Sequence, residues 1–345
     1  MKHTRLVLAA SLTLALVAAC SETETPPQTD AAITSRPSNA RCVAPAEGAP
    51  ALLSQLGCFE TNDPHVMAKG VVEYEPAAAL WSDGAGKPRY FAIPDGTSIH
   101  VEPDGHFTFP NGTVLFKSFI LDGRLVETRV FFRYASGTWG GYSYEWNDAQ
   151  TDATLLEGSK QKTVGTTTWS FPARRDCFRC HNANAAFTIG PELAQLNGPI
   201  GTRPENQLET LSAAGYLDAP LPPVTSLQRL PRYDDPAASL EDRARSYLHG
   251  NCAHCHRPGG PGYGTADFRF STPFAAMGIC NAESHTGPNA VLFAPGSSAT
   301  SVISQRMHAL DYKRMPALGT AIVDPIGTDL VDRWINATTA CPPPP

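Results

Sequence analysis

Val114-Leu115-Phe116-Lys117-Ser118-Phe119-Ile120-Leu121-Asp122-Gly123-Arg124-Leu125-Val126-Glu127-Thr128-Arg129-Val130-Phe131-Phe132-Arg133-Tyr134 reads as two strands and the turn between them. Val114 to Leu121 and Leu125 to Tyr134 are aliphatic and aromatic runs. Asp122-Gly123 supplies the pair that a two-residue hairpin loop needs, because both residues tolerate positive φ. Asp95-Gly96, Asp104-Gly105 and Asn111-Gly112 mark further turns, and Thr138 to Trp146 is another aromatic-rich strand candidate. The texture from Trp81 to Phe171 is therefore β.

Directly behind that sheet stands Cys177-Phe178-Arg179-Cys180-His181, and the form recurs as Cys252-Ala253-His254-Cys255-His256. Cys-x-x-Cys-His is the attachment signature of c-type haem. Two thiols three positions apart can add to the two vinyl groups of one porphyrin, and the next histidine can ligate the iron. A single Cys-x-x-Cys pair could equally be a redox dithiol or half a zinc site. Two copies behind an export signal favour two covalent haems, held by Cys177, Cys180 and His181 and by Cys252, Cys255 and His256.

The export signal is read from Lys2 and Arg5, followed by the apolar run Leu6 to Ala19, too short to span a bilayer. Small residues before Cys20 resemble a bacterial lipoprotein signal, with Cys20 lipidated; an ordinary signal peptide is the alternative. The expected location is the periplasm or cell surface, with a lipid anchor. Of 9 cysteines, Cys42, Cys58, Cys280 and Cys341 then remain. In an oxidising compartment they suggest two disulfides, with three possible connectivities. Cys42 with Cys58 and Cys280 with Cys341 keeps each pair within one expected domain; free buried thiols are the alternative.

The 345 residues have room for two domains, and Gly 28 with Pro 31 implies many turns. Net charge is −6 and no basic patch stands out, which argues against nucleic-acid binding. No Ser/His/Asp triad is present. Gly259, Gly260, Gly262 and Gly264 precede no helix and make a poor phosphate loop. The expected division is a signal peptide (1–19), a flexible tether (20–41), a β-rich domain with the first haem (42–200), a linker (201–235) and a second haem domain (236–341). Helices are expected at Pro204 to Ala214, from an Ser239 cap with Asp242 to about His249, and at Asp329 to Asn336 behind Thr328.

A helix entering Cys-x-x-Cys-His, a Gly/Pro-rich loop, Arg314-Met315-Pro316 and a closing helix resemble the class I cytochrome c plan. The resemblance implies an α+β protein, a β-rich haem domain followed by an all-α cytochrome c-like domain. It also implies Met315 as distal ligand of the second haem, with Met307, His308 and His285 as rivals. Phe109-Pro110-Asn111-Gly112-Thr113-Val114-Leu115-Phe116-Lys117, ahead of an aromatic sheet and the first motif, is similar to the lysine-crosslinked haem cytochromes and cytochrome c′-beta. There a strand lysine contributes to the macrocycle, and Lys117 is the matching position; a solvated strand lysine is the alternative. Leu80 to Ala85, Gly141 to Asp148 and Arg314 to Gly319 resemble a family of exported dihaem c-type cytochromes. That implies electron transfer between redox partner proteins, or from a small-molecule donor.

No methionine lies between Tyr134 and Met277, so the distal side of the first haem is undetermined. Candidates weighed for it are His100 and His106, with Phe116, Phe119, Phe131 and Phe132 as pocket lining. Arg174 and Arg175 are candidates for pairing with propionates. An open first haem would make the protein an enzyme acting on hydroxylamine, nitric oxide or peroxide, with the second haem relaying electrons.

Overall fold

The computed structural model describes residues 35–343 except 62 and 288. The expected signal peptide, Cys20 and residues 20–34 of the tether lie outside the described residues. The strands in chain order are β1 (Phe59–Glu60), β2 (Asp63–Met67), β3 (Val72–Tyr74), β4 (Arg89–Ala92), β5 (His100–Val101), β6 (Phe107–Thr108), β7 (Val114–Leu121), β8 (Arg124–Arg133), β9 (Trp139–Trp146), β10 (Ala153–Leu155), β11 (Lys160–Val164) and β12 (Thr167–Phe171). Six form one antiparallel sheet in the order β10-β9-β8-β7-β4-β3, and the others pair as hairpins.

The β7–β8 hairpin closes through Asp122 (φ 49°) and Gly123 (φ 73°), with Leu121 opposite Arg124. Positive φ at both loop positions matches the twist of the flanking strands. Val114, Phe116, Val130, Phe132, Tyr142 and Tyr144 face a core closed by Leu53, Leu56 and the Cys42 and Cys58 pair. Phe91, Leu115 and Phe131 face a second core with Leu196, Leu208, Leu211 and Tyr216. Burial on both faces accounts for runs that are continuously apolar rather than alternating. On that second face Glu127 is wholly buried, yet it accepts from Arg129 Nε at 2.8 Å, Trp169 Nε1 at 2.9 Å and Ser143 Oγ. A buried carboxylate persists only when paired and hydrogen-bonded in this way.

The helices are α1 (Arg174–Cys180), α2 (Leu193–Leu196), α3 (Gln207–Ala213), α4 (Leu240–Cys252), α5 (Val302–His308) and α6 (Pro325–Ala337). Ser239 caps α4 by accepting from Asp242 N at 3.0 Å, as expected, and the helix continues into the second motif. The closing helix begins earlier than expected. Asp324 caps it, accepting from Ile326 N and Gly327 N at 3.0 Å, with Pro325 in the first turn. That placement suits proline, whose missing N–H would have had no helical partner there.

The expected all-α C-terminal domain is not what forms. Its helices are small and scattered. Among the described residues between α4 and α5 lie only two 3-10 turns, at Phe274–Ala276 and Ser298–Thr300, and isolated bridges such as Cys280 to Phe293. Residues 257–301 are rich in Gly, Pro, Ser, Thr and Asn, which offer the backbone turns in place of helix. The cluster at this end packs Tyr247 and Leu248 of α4 and Leu330, Val331 and Trp334 of α6 around irregular segments bearing Phe274, Met277 and Phe293.

Cys280 and Cys341 lie at disulfide distance, as do Cys42 and Cys58, the two pairs expected from sequence. Residues 201–235 do not hang free. Leu208, Leu211 and Tyr216 sit in the sheet's second core, and Arg203 pairs with Glu73 at 3.0 Å. The end of the expected tether is also tied down, by Arg36 donating to Pro94 O at 2.6 Å.

Candidate functional site

The first motif lies on the sheet. Helix α1 packs against β9 at Gly141, where an added Cβ would stand 2.8 Å from Cys177 Sγ. Glycine there allows the closest approach of thiol to strand. His181 follows the helix, and its Nδ1 donates to Phe187 O at 2.7 Å, which leaves Nε2 with the free lone pair. Burial, then the charge of Lys117, pushes the His181 imidazole down to about 4, so the ring is neutral and able to ligate.

A cavity of roughly 300 Å³ opens beside it. Cys177, Cys180, His181, Leu115, Phe116 and Phe131 are among its walls, with Lys117, Arg129 and Arg314 as cations. The Lys117 ammonium makes no hydrogen bond among the described residues, and it lies 5.8 Å from the centroid of the Phe119 ring. Burial, with Arg129 and Arg89 alongside, pulls its ammonium down to about 7. Phe119 packs under Trp169 and Phe132 faces the opposite core, so neither belongs to this wall. Nor do the candidate histidines. His100 pairs with Asp218 at 2.6 Å, and His106 sits with Asp104 and Glu192. Arg174 donates to Tyr142 OH at 2.9 Å instead of facing the cavity.

The second motif is carried at the end of α4. Cys252, Cys255 and His256 line a cavity of roughly 470 Å³, walled by Leu248, Phe268, Leu292, Val302 and Ile303 among others. Gly262 presses on the His256 ring, where an added Cβ would stand 2.6 Å from Nδ1. Burial lowers the pKa of His256, and Arg306 adds to the effect. Met315 lines this cavity, as do Met307 and His285. His308 does not, and pairs with Asp332 at 2.9 Å.

One segment that stood out in the sequence, Leu80 to Ala85, holds the Met315 loop. Asp83 accepts from Ala321 N at 2.8 Å and from Ile322 N at 2.9 Å, while Trp81 Nε1 donates to Ile322 O at 3.0 Å. Trp81 N also donates to Asn251 Oδ1 in α4, at 2.7 Å. Tyr144, by contrast, bonds Pro50 O on the other face of the sheet, and Glu145 and Asp148 pair with Lys160 and Lys162 at the surface.

The motifs, 75 residues apart in sequence at Cys180 and Cys255, meet in space. The ligand atoms of Cys180, His254 and Cys255 all lie within 4.8 Å of one another. Sequence reasoning missed this junction and also missed Arg314, which enters the first cavity while its neighbour Met315 lines the second. Comparison with protein-family models, with curated proteins and with solved structures finds no match to this chain.

Proposed function

We propose that this chain is an exported protein with two covalent c-type haems, and that it transfers electrons between redox partners. The observation that carries the reading is the sorting of the cysteines. Cys42, Cys58, Cys280 and Cys341 pair at disulfide distance, whereas Cys177, Cys180, Cys252 and Cys255 stay unpaired and open onto cavities beside a histidine. Unpaired thiols are out of place in an oxidising compartment unless another group takes them up. The donors fit that use. Each motif offers two thiols and one largely buried neutral imidazole, and His181 has the second hydrogen bond that orients a metal-ligating histidine.

A bound haem supplies a one-electron couple, tuned by its ligands and surroundings. The chain's part is to hold it and exclude water. His181 and His256 would each ligate the iron of their own haem, and Met315 would be the second ligand at the second site. Thioether ligation favours the reduced state relative to a second histidine. Partners are proteins or a small donor, and the proposed location is the periplasm or cell surface, through a lipid on Cys20.

One observation favours a second reading. No methionine or second histidine is among the residues lining the first cavity, and Lys117 is the amine that faces it. A small molecule such as hydroxylamine, nitric oxide or peroxide would then react there, with the second site relaying electrons. The test is the mass and absorption spectrum of the purified full-length protein, with and without carbon monoxide. Two covalent haems that ignore carbon monoxide support electron transfer. Two haems with half binding it support the enzyme. Four free thiols and no haem overturn both.

A further inference from the structure

Cys180 ends α1 and Cys255 lies just beyond α4, and the fold brings these two thiols and the His254 ring to within 4.8 Å of one another. The neighbouring backbone is locked across the contact. Asn182 Nδ2 donates to His254 O at 3.2 Å, Asn184 Nδ2 to Gly259 O at 2.6 Å, and an Arg257 guanidinium nitrogen to Asn184 O at 2.7 Å. The Cys255 thiol also reaches Arg179 O at 3.7 Å. The two cavities share Leu80, Cys180 and Leu318 as a common wall. Helix α4 also packs closely on the segment ahead of β4, since an added Cβ at Gly250 would strike Ala78 O.

Resting on the reading of both motifs as haem sites, we infer that Cys180, His254 and Cys255 form one junction that holds the two haems side by side. Each of these thiols bonds the edge of its own porphyrin, so two neighbouring thiols bring the two edges together. Electrons then cross inside the chain, with no carrier between the sites. One electron moves, one site is oxidised as the other is reduced, and no bond is made or broken. Tunnelling falls steeply with distance, so this contact makes internal exchange fast compared with any exchange through solution.

The experiment is circular dichroism in the Soret region on the full-length holoprotein, beside the pairs of substitutions Cys177→Ala with Cys180→Ala and Cys252→Ala with Cys255→Ala. Covalent haem is counted by mass in each. The expected result is two haems and a bisignate Soret couplet, replaced by single-signed bands in both one-haem proteins. Two haems whose dichroism equals the sum of the one-haem spectra would overturn the junction and leave the haem reading intact. Fewer than two haems in the unaltered protein would overturn the haem reading and the junction with it. If a substituted protein does not fold, the unaltered one is poised at a potential where a single site is oxidised. The couplet should then shrink, because the two transitions no longer share an energy; an unchanged amplitude counts against the junction.

Discussion

The two Cys-x-x-Cys-His motifs are held by opposite means. The first rides a seven-residue helix pressed on a sheet strand, and its thiol sits over Gly141. The second lies at the end of a thirteen-residue helix, and its cavity is completed by α5 and by loops, among them the one that carries Met315. The first surrounding is therefore rigid and cationic, with Lys117, Arg129 and Arg314 around it. The second is apolar and depends on a loop pinned from a distance by Asp83. A pair of similar pentapeptides thus occupies two different environments, and ligand set and polarity are what tune a haem.

The widest separation comes from removing one motif at a time. Cys177→Ala with Cys180→Ala should cost one covalent haem and leave the Met315 site's spectrum in place; Cys252→Ala with Cys255→Ala should do the reverse. Mass spectrometry reads both, and loss of both haems from either protein would show that the sites do not form independently. Next in size is Met315→Ala. The second site's reduction potential should fall and its sulfur-to-iron absorption band should vanish, while the first site's spectrum stays put. A spectrum unchanged by this substitution would pass the ligand role to Met307 or His285.

Gly141→Leu tests the first region's reliance on the strand. Overpacking of this kind costs about 1–3 kcal/mol, so denaturant unfolding should shift to lower concentration and first-site haem should drop, with the second site spared. Asp83→Ala tests the second region's reliance on its pin. Asp83 is 6% exposed, and its carboxylate serves two backbone N–H groups. Leaving those donors unsatisfied should cost about 1–3 kcal/mol, seen as a lower melting temperature and a weakened Met315 band.

What could be read from the sequence was local chemistry. Asp122-Gly123 specified its turn and Ser239 its cap, because each acts on residues within a few positions. Lys117 was harder. A lysine in a strand reads as solvated, and only burial of both sheet faces puts it against a cavity. The closing helix was placed four residues late because Thr328 is a competent cap, while Asp324-Pro325 is the one used. The all-α expectation failed because two good helices at the ends of a segment say nothing about the turn-rich 257–301 stretch between them. The contact of Cys180 with Cys255 has no local signature at all; it comes from α1 on the sheet and α4 against residues 78–81.

The smallest effect probes how the two regions are joined. Glu192, just ahead of α2, receives His249 of α4 at 2.6 Å, with His106 of the β5–β6 turn at 3.7 Å and Arg257 nearby. Burial by itself would raise this carboxyl's pKa, but the charges of His249, His106 and Arg257 outweigh it and hold the group below its ordinary value. A carboxyl with a depressed folded-state pKa stabilises the protein above its unfolded value. That contribution fades as pH falls through the folded value. Gln keeps an acceptor oxygen but not the charge, so Glu192→Gln should lower stability at pH 7 by about 0.5–1.5 kcal/mol, the net scale of one intramolecular hydrogen bond. The gap from the unaltered protein should narrow as pH drops below the ordinary glutamate range. Urea unfolding at a series of pH values measures it, and a gap that stayed constant down to pH 3 would mean that Glu192 joins the two regions by packing rather than by charge.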